Sequence, residues 1–196
     1  MIKINKDFKD IEYLKEGNTR KQRSYEILKK INIFNLLSKY NPILVGTIPI
    51  DIDIENSDLD IVCKVEDFRK FEELLIKEFS KYKEFKVTYK ASSRVIICNF
   101  KVENMEIEIY GSKLDTDKTN SYRHMIIEYR LLNLLGDDFK AKIIDLKKQG
   151  LKTEPAFSQI LKLKGNPYEE LLLFEQYDDE KLLEKMDKSK VTFSFD

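Results

Sequence analysis

The stretch Ser57-Asp58-Leu59-Asp60-Ile61-Val62-Cys63 sets two aspartates at the start of an otherwise apolar run. Acidic residues are depleted in strands, because a charge does not belong on a packed pleated surface. Side chains two apart on a strand point the same way, about 7 Å from each other. Asp58 and Asp60 therefore share one face, and Leu59 and Ile61 the other. Two carboxylates at a 4 Å approach repel by about 1 kcal/mol in water and about 4 kcal/mol at an intermediate dielectric. A divalent cation removes that conflict. Mg²⁺, or Mn²⁺ in its place, is held by a few carboxylates together with water and phosphate oxygens. A third acid on an adjacent strand would complete a two-metal site for phosphoryl or nucleotidyl displacement. The run Met105 to Tyr110 offers Glu106 and Glu108 on one face, and Glu108 is preferred because it lies nearer the strand end, before Tyr110-Gly111.

Gly46-Thr47 follows the apolar Ile43-Leu44-Val45. A glycine just past a strand lets backbone N–H groups approach a phosphate, and the Thr47 hydroxyl adds a donor. Plainer accounts compete at each position. Ser57-Asp58 also reads as a turn or cap, and Asp-x-Asp alone is a weak signal. Asp51, Asp53 and Glu55 read as the outward face of an alternating segment. Arg94 opens a strand expected beside the acidic ones, where it either balances carboxylate charge or contacts phosphate. Arg20, Lys21 and Arg23, with Lys29 and Lys30, read first as a solvated helix face, with an RNA or nucleotide contact as the second reading. The single histidine, His124, lies one helical turn before Glu128, and Arg123 two turns before Arg130, so helical pairing accounts for all four.

The elements that must position these residues follow from periodicity. Asn18-Thr19 caps a helix with Tyr25, Leu28 and Ile31 on one face, and a further turn runs to Tyr40 before Pro42. Ile43–Val45 is a short strand, and Pro49 with the alternating isoleucines predicts an extended path from Ile48 to Ile54. Phe68, Phe71, Leu74, Leu75 and Phe79 predict a helix over 66–82. Strands are predicted over 85–90, 94–102 and 105–110, with a turn at Glu103-Asn104. Helices follow over 122–135 and 137–149, ending at Gly136 and Gly150. Thr153 and Asn166 each precede a proline, Pro155 and Pro167, near a further helix start. The order predicts an α+β (α/β) fold with a C-terminal helical part.

The 196 residues suit one domain, with a core at about 18–115 and a helical extension at about 119–188. Lys+Arg and Asp+Glu both number 35, a balance that argues against broad electrostatic binding to nucleic acid or anionic lipid while leaving room for a local basic patch. No leader and no membrane-spanning run is expected, which points to the cytoplasm. Cys63 and Cys98 sit in apolar runs and are expected as buried thiols, and with one histidine no zinc-ligand spacing arises. Neither a Walker loop, a dinucleotide fingerprint nor a nucleophile elbow is present.

Val45-Gly46-Thr47, Asp58-Leu59-Asp60-Ile61 and Ile107-Glu108-Ile109 together resemble the signature of the nucleotidyltransferase-fold superfamily, the relatives of DNA polymerase beta and the aminoglycoside nucleotidyltransferases. More narrowly, GTIPI with IDIENSDLDIVC, NSYRHMIIEYRLL and PAFSQILKLKGNPYEELL resemble a bacterial family within it, over Tyr13 to Leu173. The resemblance implies a mixed sheet flanked by helices and a metal-dependent transfer of a nucleoside monophosphate from an NTP to an unknown hydroxyl acceptor. Asp58, Asp60 and Glu108 would be catalytic and hold the metal. Gly46, Thr47, Ser57, Arg94, Arg123 and His124 would contact the nucleotide, the last two chiefly on the strength of the resemblance. Thr47 replaces the usual Ser or Gly and keeps a hydroxyl. The isoleucine-rich segment replaces a short polar helix, so the phosphate-binding loop is expected to differ in shape. A binding or regulatory module without turnover is the alternative, as is a protein acting with a partner chain, such as half of a toxin–antitoxin pair.

Overall fold

Alternation of apolar and polar side chains shapes the strands of a computed structural model that describes residues 7–188. Five strands, β1 (Ile43–Val45), β2 (Leu59–Lys64), β3 (Lys83–Lys90), β4 (Val95–Val102) and β5 (Met105–Ser112), form one sheet in the order β1-β2-β5-β4-β3. β2 and β5 run parallel and every other pair is antiparallel, which makes the sheet mixed. Arg94 does not open β4. It takes φ 51 in the turn before it, a left-handed conformation suited to a tight reversal. β3 begins two residues ahead of Phe85, across an irregularity between Lys83 and Lys86.

One face of the sheet is core. Leu59, Ile61, Cys63, Ile96, Cys98, Phe100, Ile107 and Ile109 all point into it and are buried. Helix α1 (Thr19–Lys30) covers it with Ile27 and Leu28, its N-terminus capped by Asn18, whose side chain accepts from Lys21 N. The single turn α2 (Ile33–Leu36) and a 3₁₀ turn at Ser38–Tyr40 follow in place of one continuous second turn. Helix α3 (Phe68–Phe79), capped by Asp67, packs Phe71, Leu75 and Phe79 on the same face. Phe79 and Phe100 stack with centroids 5.0 Å apart. Gly111 lets α3 approach: a Cβ there would meet Ile96, Phe71 and Val65 at 2.7–2.8 Å. The two thiols lie in this core, and burial pushes Cys98 up to about 12 and Cys63 higher, so both are inert hydrophobes.

The chain divides into two compact units. Asp7–Asp51 and Glu55–Tyr122 make the sheet unit, while Ile52–Ile54 belongs with the helical residues from Arg123 onward. The helical segments are α4 (Asn120–Lys148), α5 (Thr153–Leu161), α6 (Pro167–Leu172) and α7 (Asp179–Lys188). α4 breaks at Gly136 (φ 76, ψ −169), where the sequence predicts a helix end. Asn166 caps α6 by accepting from Tyr168 N, with Pro167 at its first position. Phe139 of α4 and Phe157 of α5 meet edge to face at 5.5 Å. Among the described residues no helix is long and apolar enough to cross a membrane.

Two local expectations are corrected. The segment from Ile48 is not extended from its start: Ile50 N and Asp51 N bond back to Thr47 O and Ile48 O, and Asp51 takes φ 61, so a tight turn precedes irregular backbone at 52–54. Burial of Ile48, Ile50 and Ile52 drives that path. Lys21 is not a solvated face residue; it is 2% exposed, and its ammonium pairs with Asp51 Oδ2 at 2.5 Å. A buried cation needs such a partner, and it fixes the turn.

Candidate functional site

The parallel register sets Asp60 of β2 opposite Glu108 of β5. Partners in register share a face, so both carboxylates leave the sheet on the side away from the core. Asp58 lies one residue before β2 and is exposed. It acts on the charge of both others, so the three form one electrostatic cluster. Burial raises Asp60 to about 7, with Asp58 and then Glu108 adding to it. Glu108 is raised as well, by burial first and Asp58 second, against a lowering by Lys90. Glu106 is placed differently, two residues along, where Lys101 joins it to Glu84 at 2.9 and 2.8 Å. Asp58, Glu106, Glu108, Asn99 and Lys101 line a surface depression of about 210 Å³.

β1 brings Val45 opposite Asp60 in its antiparallel register, so Gly46 comes directly against the same carboxylate. Gly46 has φ +84, and a Cβ there would stand 2.6 Å from Asp60 Oδ2. Both facts require glycine. Thr47 donates its hydroxyl to Ser57 Oγ at 3.2 Å, bridging the two ends of the loop. Arg20 donates to Ser57 O at 2.5 Å, securing the residue before Asp58.

Gly46, Thr47, Ser57, Asp58, Asp60 and Glu108 are thus brought together. Arg94 is not: Asn99 faces Glu108 on β4, while Arg94 precedes Val95, four residues along the strand. Arg123 and His124 lie in the helical unit and are engaged there. Arg123 clasps Glu175 through Nε and Nη2 at 2.8 and 2.6 Å. His124 does not pair with Glu128; its Nδ1 lies 3.1 Å from Glu154 Oε1 and its Nε2 2.9 Å from Tyr168 O. Arg130 bonds Asp179 and the carbonyls of Phe174 and Tyr177. Tertiary partners win over the i, i+4 neighbours because α4 is buried on that side.

Three supporting residues escape a reading of the sequence. Arg20 looks like any helix-face cation, although it secures Ser57. Asn99 reaches Glu108 Oε2 at 3.5 Å; its signal is a lone amide on the outward side of an apolar strand. Lys147, 5% exposed, donates to Ile52 O at 2.6 Å within the helical unit. Nothing in the sequence separates it from Lys148 except its place on the apolar side of the helix.

Asp58, Asp60 and Glu108 suit a divalent metal chemically: they are hard oxygen donors, and every influence on Asp60 disfavours its charge, with no cation to offset it. Among the described residues no group of three or more His, Cys, Asp or Glu side chains is already drawn together as a metal cage. Divalent sites of this type also take water and substrate oxygens.

The fold is that of known nucleotidyltransferases. A structure of Cid1, described for its RNA terminal uridylyl transferase activity, superposes with a TM-score of 0.53 at 10% identity, covering 82% of this chain and 52% of that one. The Cid1 poly(U) polymerase with MgGTP bound gives 0.52 at 12% identity, with 82% and 53% covered. The chain spans about half the length of these proteins. No curated protein sequence matches it. Residues 26–174, from within α1 to past α6, match the family model described as Domain of unknown function (DUF4269), and the chain belongs to that family.

Proposed function

We propose that this protein is a metal-dependent nucleotidyltransferase that moves a nucleoside monophosphate from an NTP to a hydroxyl acceptor. The observation that carries the reading is the registered pair Asp60–Glu108, with Asp58 beside it and Gly46 against Asp60 Oδ2. Two acids on adjacent strands, with a third just before β2 and a side-chain-free approach beside them, suit a triphosphate better than they suit a structural role, since their mutual repulsion otherwise only destabilises the fold.

Asp58, Asp60 and Glu108 would hold Mg²⁺ or Mn²⁺, which when bound neutralises charge developing on the phosphate oxygens. The backbone at Gly46 and the Thr47 hydroxyl receive the β- and γ-phosphates. Glu108 accepts the acceptor's proton as the hydroxyl oxygen attacks the α-phosphorus. The new O–P bond forms in line with the bond that breaks, and pyrophosphate leaves. Positioning and charge neutralisation supply most of the rate.

Thermal unfolding tests this reading. A ligand at a hundred times its dissociation constant adds about 2.7 kcal/mol, a midpoint rise of roughly 5–10 °C. MgGTP is the first ligand to try, because it is bound in one of the similar structures. A metal-dependent shift in wild type, absent from Asp58→Asn, is expected. If no NTP moves the midpoint with either metal, the reading fails and a non-catalytic module takes its place.

A further inference from the structure

We propose that the acceptor carries a phosphate group, which is bound by Lys86 and Lys90 on the exposed face of β3, two strands from Glu108. The inference rests on the nucleotidyltransferase reading above and names its second substrate by chemistry.

The register across the sheet places Asp60, Glu108, Asn99 and Lys86 in one continuous row, each the partner of the next. The next row holds Val62, Tyr110, Ile97 and Thr88. These residues share the face opposite the core. Asn99, Lys86 and Lys90 are exposed, and Tyr110, Ile97 and Thr88 half-buried, so this face is open over β3, β4 and β5.

The cations on the face fall into two kinds. Lys64 is neutralised by Asp115 at 2.7 Å, and Lys101 by Glu84 and Glu106. Lys86 and Lys90 have no carboxylate within ion-pair distance among the described residues, and Lys86 stands in the same row as Asp60 and Glu108. An edge strand gains protection from lysine, but that role does not require one in register with the carboxylate pair.

Sheet order fixes what those lysines can hold. Gly46 and Thr47 follow β1, on one side of Asp60, whereas β3 lies on the other side, beyond β5 and β4. Strands are about 4.8 Å apart, so Lys86 stands roughly 10 Å from Glu108 in backbone terms, a gap that a phosphorylated sugar can span. A triphosphate seated at Gly46 would lie across Asp60 from β3. An anion at Lys86 and Lys90 therefore belongs to the molecule whose hydroxyl meets Glu108. Tyr110 and Ile97 between them offer an apolar floor for a sugar or a base.

The test uses the full chain and a short fluorescein-labelled single-stranded oligoribonucleotide, with ribose 5-phosphate and inorganic phosphate as unlabelled competitors. Lys86→Gln/Lys90→Gln is compared with Lys140→Gln/Lys148→Gln, an equal loss of charge in the helical unit. The expected result is binding weakened about tenfold or more in the first variant, with the salt slope reduced by about 1.4, and little change in the second. A probe displaced only by further oligonucleotide identifies a polynucleotide end; one displaced equally by ribose 5-phosphate identifies a small phosphorylated acceptor. Equal binding by wild type and Lys86→Gln/Lys90→Gln, or no binding of any phosphate by wild type, overturns the proposal. The MgNTP thermal shift is measured on the same samples. If it persists while the lysine dependence is missing, only this proposal falls; if it too is absent, the nucleotidyltransferase reading falls first.

Discussion

Asp60 on β2 and Glu108 on β5 stand opposite each other in the parallel register, with burial and Asp58 raising both. The arrangement destabilises the metal-free protein, because charge on either group is unfavourable to the other. Asp60→Asn keeps the shape and removes one charge. Near pH 8, where Asp60 is ionised (its carboxyl titrates at about 7), this variant should be more stable than wild type by about 1 kcal/mol or more. Adding Mg²⁺ should then raise the wild-type midpoint and leave the variant unmoved. A variant that fails to fold would assign Asp60 a structural role and count against the site.

Gly46 is the second lever. Replacement by alanine meets two penalties, a left-handed φ of +84 and a Cβ 2.6 Å from Asp60 Oδ2. Gly150 offers a control: it ends α4 with φ +100, and a Cβ there would meet nothing within 4 Å. Gly150→Ala should cost about 1 kcal/mol, and Gly46→Ala about 2–3 kcal/mol with loss of the nucleotide response. Denaturant unfolding of both variants reads the difference. Equal costs would show that Gly46 is a conformational requirement only, and the close approach to Asp60 would carry no weight.

The sequence shows the sheet and the acidic residues because they rest on local rules. Period-two alternation marks β3 to β5, and Asp58 and Asp60 are conspicuous where a strand should be apolar. Choosing Glu108 over Glu106 needs the register, since both share a face and only the pairing of β2 with β5 decides which stands opposite Asp60. What the sequence hides is long-range. Lys21 meets Asp51 and Lys147 meets Ile52 across many residues, and a lysine's periodicity on a helix says nothing about the carbonyl or carboxylate it finds. His124 is misread for the same reason: Glu128 is its neighbour on the helix, and Glu154 is its partner in space.

Lys147 gives a third prediction. Its buried ammonium donates to Ile52 O, in the loop that runs from Thr47 to Ser57. Lys147→Met preserves the aliphatic stem but leaves that carbonyl without its donor. The loss should cost about 1–3 kcal/mol. It should also weaken MgNTP binding in the thermal-shift titration, since the same loop carries Thr47. Lys148→Met, on an exposed neighbour, should do neither. A stability loss without any change in nucleotide response would confine Lys147 to the fold.

Glu128 sets the sign of a pH dependence. Complete burial raises it to about 8, Glu154 adds to that, and Lys147 opposes it. Its Oε1 has no hydrogen-bond partner among the described residues. The folded state therefore holds this proton more tightly than the unfolded chain, whose carboxyl titrates near the ordinary 4.5. Below that value both states are protonated and the contribution is fully present. As pH rises toward about 8 the unfolded state ionises first, and stability falls by a few kcal/mol at most. Glu128→Gln retains the shape and cannot ionise. Midpoints of the two proteins should lie close together at about pH 5 and separate steadily up to about pH 8, with the variant the more stable at the alkaline end. Nearby Glu154, whose own carboxyl is lowered beside His124, pulls in the opposite direction in both proteins, and its repulsion of an ionised Glu128 is relieved only in the variant, which widens the separation at high pH. A difference between them that stays constant with pH would mean that Glu128 keeps an ordinary carboxyl.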